Sequence, residues 1–431
     1  MSARQGPDPQ PAADRSQPPG RHGADVARSR ALAARLRLTI AGNPEPTDRE
    51  WQALGLAHWR GDPLADAVID WMHAEGMAAA WPKLERALAG GQAAVSPRDA
   101  ALLAYLVAAG DTPPWLDPAR LQRGARVLQR TGLHGMMVLR DAGLMAGYQA
   151  SAINQTLVQT GALHNGAHKR VAETASWWLA CTADGGMLPG APGFQQTLRV
   201  RLMHAMVRAR LQASPQWDAD WLGVPINQVD MQATYLAFSA VQLLGLRMTG
   251  MLISTKDADA VMHLWRYIGW LMGVEDGLMC DDEATGRVLL YRNVLGQAPP
   301  DHTSVQLARA LMDEPLSRPY AWGKAWRGRI DRERHLSLVS WFVGAQGMRN
   351  LGLPQRAPWY PLLLLAPTAL GSVALRALPF LEDPWRSVAR TQQVRFHRDM
   401  VRPTGAAQAR TAEASERSPS DPPSKVIARN R

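Results

Sequence analysis

Residues 195–211 read QQTLRVRLMHAMVRARL. No glycine or proline interrupts the stretch, and its leucines, methionines and arginines are strong helix formers. At about 100° per residue, the face centred on His204 carries Val200, Arg201, Val207, Arg208 and Leu211. An imidazole among aliphatic groups, with arginines one turn away on both sides, has the parts that hold a haem. The ring nitrogen can take iron, the apolar side chains can contact the porphyrin, and the guanidinium groups can pair with propionates. Periodicity alone fits an ordinary core histidine with surface arginines more simply.

Outward from this segment the chain keeps the same texture. Helical patterns cover 64–75, where Ala65, Val68, Ile69 and Met72 share a face, and 100–109, 118–131, 151–160 and 169–183. They continue over 194–213, 230–246, 257–272, 303–312 and 332–347. No strand-and-turn rhythm and no repeat period interrupts them. The expected fold class is all-α, in one main domain over residues 26–401. Residues 1–25 and 402–431 are rich in Pro, Gly and charged residues and read as disordered tails. The motif PINQVD (225–230) reads as a helix start capped by Asn227 or Asp230.

The stretch 359–381, WYPLLLLAPTALGSVALRALPFL, is long and apolar but contains Pro361, Pro367 and Pro379, with Arg376 near its end. Core packing is the first expectation, a peripheral membrane contact the second and a span the last.

Of the 431 residues, 46% are hydrophobic and 16 are Trp, enough for a sizeable core or an apolar pocket. The net charge of +10, mostly arginine, is spread along the chain. No basic stripe interleaved with aromatics and no zinc-finger spacing points to nucleic acid. Two cysteines, Cys181 and Cys280, permit at most one disulfide and no framework. The N-terminus lacks the apolar core of an export signal, so the expected location is cytoplasmic, with membrane association through 359–381 as an option. No P-loop, dinucleotide fingerprint, HExxH or GxSxG motif is present. Glu-x-x-His is also missing, against a di-iron bundle. His164 and His168 stand one turn apart, but the intervening glycine and missing carboxylate make a weak metal site.

Four motifs in order carry a resemblance: KRVAET (169–174), RVRLMHAMVR (199–208), VPINQVDMQATYLAFS (224–239) and RYIGWLMGVEDGLM (266–279). Together they resemble the latex-clearing protein and MpaB-type oxygenase family, most clearly over 147–277. The resemblance implies a globin-like helical core around haem b. It implies His204 as the proximal iron ligand, Arg208 beside the haem, and Arg170 and Thr174 across the pocket. Dioxygen would be the co-substrate and a hydrophobic, isoprenoid-like molecule the substrate.

The chain departs from the rubber-cleaving pattern in two places. Glu173 stands where those members carry a lysine able to cap the iron. Asn154, in SAINQ (151–155), stands where they carry a glutamate proposed as base, and an amide cannot take that role near neutral pH. Glu173 could substitute if it were buried in the pocket, where its pKa would rise. Two functions stay open: a haem-dependent oxygenase acting on a carbon–carbon double bond, with Arg170, Thr174 and Glu173 orienting the reactants, or a non-catalytic haem- or lipid-binding protein serving as gas sensor or carrier.

Overall fold

The computed structural model describes residues 15–161, 166–320 and 322–401. Among these residues every regular element is a helix, and none is a strand. The fold is all-α.

Several helices start where elementary chemistry puts them. Asp62 caps Pro63–Glu75 by accepting from Ala65 N, and Asp117 caps Pro118–Arg130 by accepting from Ala119 N and Arg120 N. Both place proline at the first helical position, where its missing N–H costs nothing. Asn227 is the cap of Gln228–Leu236, accepting from Val229 N and Asp230 N. Asp230 is thereby left free to pair elsewhere.

Thr255–Leu271 is the central helix, with Val261, Leu264, Trp265, Ile268 and Leu271 all buried. Pro118–Arg130 lies tightly against it. A Cβ on Gly124 would stand 2.2 Å from the Ala260 carbonyl oxygen, so glycine sets the approach. The other faces of the central helix meet Pro192–Gln212, Gln228–Leu236 and Glu283–Leu295.

The expected helix over 230–246 runs from Gln228 to Met248 but widens to a π-helix over Ala237–Val241. A second π stretch, Leu139–Leu144, follows Gly132–Val138. The 332–347 pattern extends to Lys324–Asn350, with Gly344 breaking the helical geometry at φ 66°.

Two expectations need correction. Residues 15–25, assigned by composition to a disordered tail, are packed on the core. The Arg21 guanidinium is buried 2.6 Å from Asp230, Gly20 N donates to the Asp220 carbonyl, and the His22 ring lies 4.1 Å from that of Trp51. Composition averages over a segment and is blind to one buried charge pair formed across 209 positions. Residues 1–14 and 402–431 lie outside the described residues, as does His164. Core packing of 359–381 is also overturned. Trp359–Ala377 is a continuous helix through Pro367, and Pro361 is its sole buried residue. Cys181 and Cys280 are buried as separate thiols, so the one disulfide the sequence permitted is not formed, and burial pushes the Cys181 pKa up to about 12.

Breaking a buried pair leaves a charge stranded away from water. Arg21→Ala should therefore cost about 3–5 kcal/mol in urea unfolding. The double change Arg21→Met with Asp230→Leu should recover most of that loss.

Candidate functional site

The helices enclose a cavity of about 1960 Å³, well above the range of roughly 300–1,000 Å³ usual for small-molecule pockets. Helices Ala167–Cys181 and Pro192–Gln212 pack side by side to form one wall. The two π stretches and part of Lys324–Asn350 form the others. Apolar side chains dominate, among them Val200, Met203, Val207, Trp177 and Phe238. The Trp177 ring meets Phe238 edge-on at 5.2 Å, and Phe238 stacks on Trp265 at 4.8 Å.

His204 enters this cavity from the middle of Pro192–Gln212. Protein surrounds the ring deeply, yet the residue keeps partial accessibility on the cavity side. Its Nδ1 is buried and has no hydrogen-bond partner among the described residues. Desolvation, helped by the nearby Arg208 charge, lowers its pKa to about 4. The imidazole is therefore neutral at pH 7, the form that binds a metal ion.

Arg170, Glu173 and Thr174 line the same cavity from Ala167–Cys181. Arg170 hydrogen-bonds the buried Tyr148 phenol. Glu173 is not the buried carboxylate that a replacement base requires. Its side chain is 64% exposed, and Lys169 Nζ lies 3.8 Å away.

Arg201 and Arg208 do not reach the cavity, contrary to the expected pairing with propionates. Arg201 grips both oxygens of Asp62, at 2.6 and 2.8 Å, and donates to the Leu271 carbonyl at 3.2 Å. Arg208 pairs with Asp66 and donates to the carbonyls of Pro225 and Ile226 at 3.2 and 3.1 Å. Those bonds also hold Ile226 at φ 49°, a strained value for a β-branched residue. Asn154 is buried and donates to the Tyr148 carbonyl at 2.7 Å and Ser304 Oγ at 3.2 Å, a staple between segments. His168 spends both ring nitrogens on Glu314 and the Met400 carbonyl, so it is not a metal ligand here. No cluster of three or more metal-ligating side chains occurs among the described residues.

One buried pair, of which His335 lines the cavity, was invisible in the sequence. His335 Nδ1 lies 2.6 Å from Asp141, both residues are fully buried, and Asp141 sits in the Leu139–Leu144 π stretch. Burial would raise the Asp141 pKa, but Arg140 and His335 hold it below the usual carboxylate value. The two residues are 194 positions apart, and no local motif marks either.

Residues 129–370, more than half of the chain, match the family described as ER-bound oxygenase mpaB/B'/Rubber oxygenase, catalytic domain. The chain belongs to this family. It is 29% identical over 271 residues to a rubber oxygenase of Streptomyces sp. (strain K30), a match covering 60% of this chain and 63% of that relative. The matched region thus spans less than two thirds of the relative's length. A solved structure of latex clearing protein LCP in the closed state superposes with a TM-score of 0.59 at 20% identity. That superposition covers 82% of this chain and 93% of the other, and it shows a shared fold.

The His204 pKa makes a pH prediction. Its folded value, about 4, lies below the ordinary 6.5. Stability tied to the neutral ring is therefore complete above 6.5 and is lost as pH falls from there toward 4, because the unfolded chain takes up the proton first. Thermal melts of His204→Gln should lose less stability across that window than wild type does.

Proposed function

We propose that this chain is a haem b-dependent oxygenase acting on a hydrophobic, unsaturated substrate, with His204 as the proximal iron ligand. The observation that carries the reading is the neutral, unpartnered imidazole facing a large apolar cavity. The residues present fit the group. His204 offers a nitrogen lone pair that no donor among the described residues occupies, and the cavity exceeds the volume of an ordinary small-molecule site. Bound there, haem would supply dioxygen binding and oxidation chemistry, with O₂ as co-substrate. The globin-like arrangement of the core belongs to the same proposal.

With Arg201 and Arg208 committed to carboxylates, the propionates fall to Arg170 and Arg28. Both line the cavity and carry no ion-paired carboxylate among the described residues. Burial already lowers the Arg28 pKa, so an anionic partner would stabilise its charge. Thr174 offers a hydroxyl for orienting oxygen or substrate. Trp177 and Phe238 present flat apolar faces to a carbon chain and keep water from it. Glu173, exposed at the cavity rim, can accept hydrogen bonds from water or substrate there. The reaction proposed is oxidative cleavage of a carbon–carbon double bond or a related oxidation.

A second reading, a non-catalytic haem- or lipid-binding sensor or carrier, is favoured by one observation. The Asn154 amide is fully used as a structural staple, so that position supplies no base.

The purified protein should show a Soret band that His204→Ala removes. A colourless protein that cannot be reconstituted with haem overturns the proposal. Arg170→Ala and Thr174→Val should retain the band while oxygen consumption with an unsaturated isoprenoid falls by about 10- to 100-fold. A coloured wild type that binds oxygen and consumes none selects the second reading.

A further inference from the structure

The Trp359–Ala377 helix is packed inside out. Its polar Ser372 faces the protein, accepting from Leu252 N at 3.2 Å, and the Leu365 backbone lies against Gly250. At its start, Tyr360 N donates to Ser337 Oγ at 3.0 Å. The outward side carries Trp359, Leu362, Leu363, Leu370 and Val373, at helical spacing, with Leu363 64% and Leu370 69% exposed. Phe380, 73% exposed, and Trp385 extend the same run past the helix end. A contiguous apolar surface of this kind on a folded chain marks a contact with lipid or protein.

The flanks say which. Trp322, just before the helix Lys324–Asn350 that packs on Trp359–Ala377, and Trp326, in its first turn, are both exposed. Arg327 lies over the Trp322 ring at 5.0 Å within its own segment, and Arg334 lies over Tyr360 at 5.5 Å, linking the two helices. Lys324, Arg327, Arg329 and Arg376 have no carboxylate partner among the described residues. The nearby acids are already neutralised: Asp331 by Arg334, Glu382 by Arg130 and Asp383 by Arg386. The surface is thus apolar, tryptophan-bearing and positive. That chemistry matches the headgroup boundary of an anionic bilayer. A second copy of the chain would bring the same positive charge against it. Tyr320, Arg327, Arg334 and Tyr360 also line the cavity, so the surface borders one of its edges.

We propose that this face rests on an anionic lipid bilayer, with Trp359–Ala377 lying in the plane of the membrane and the cavity bordering the lipid. The hydrogen bonds through Ser337 and Ser372 hold the helix flat against the protein at both ends. An apolar substrate dissolved in the bilayer then reaches the cavity without crossing water. The docking does not depend on haem or on turnover.

The test is flotation of the full-length protein with vesicles of phosphatidylcholine, with and without phosphatidylglycerol. Wild type should float with the anionic vesicles and partition about tenfold less well without them or in high salt. Leu363→Glu with Leu370→Glu should weaken partitioning by about tenfold or more. Its thermal melt should match wild type, because both side chains are exposed. Wild type that stays with the free protein in both cases overturns the proposal, as does a double variant that floats equally well. A concentration-dependent dimer that the double variant abolishes would assign the face to a second copy and overturn it too.

Discussion

The Arg201–Asp62 ion pair sets the rotation of the helix that carries His204. Two parallel hydrogen bonds, with a third from Arg201 to the Leu271 carbonyl, fix the guanidinium in one orientation. Asp62 also caps Pro63–Glu75, so the start of that helix and the face of Pro192–Gln212 are one unit. Arg208 repeats the arrangement on Asp66 two turns further along. With both arginines held on that side, Val200, Met203, His204 and Val207 are left to face the cavity. Losing one partner would strand a buried charge, so rotation of this helix is opposed by several kilocalories per mole, of order 3–5.

The rest of the cavity follows from helices that do not close on one another. The π stretches Leu139–Leu144 and Ala237–Val241 pack against each other, and both line it. A π turn adds a residue to the helical circuit and shifts the side chains after it, and such turns cluster at functional sites. Here one of them delivers Asp141 to His335 in a fully buried pair at the cavity wall. Trp177 and Phe238, the latter on the second π stretch, add apolar surface to the wall, with Trp265 stacked behind Phe238. Apolar side chains dominate the wall, which suits a greasy molecule.

Much of this architecture is legible in the chain. Apolar residues recur at helical spacing, and Asp62, Asp117 and Asn227 stand where caps belong. The placement of His204 on one face with Val200 and Val207 follows from register alone. The roles of Arg201 and Arg208 do not, because a helix wheel shows which residues are neighbours on a cylinder and not what lies opposite. Their partners stand 139 and 142 positions away. Asn154 could be recognised as unable to act as a base, but its use as a staple to Ser304 could not. The segment 359–381 misleads for a related reason: hydropathy counts apolar side chains without saying on which side of the helix the protein lies.

The sequence by itself determined that this chain is helical, where several of its helices begin, and that His204 sits among apolar residues on a continuous helix. Periodicity and capping are local, decided within a few residues by backbone geometry and hydrogen bonding. Tertiary structure decided which charged groups pair, which face of each helix is enclosed, and which apolar surface stays outside. Those outcomes depend on contacts of a few ångströms between residues far apart in the chain. Burial then makes them decisive, since an arginine taken out of water is held wherever its carboxylate is.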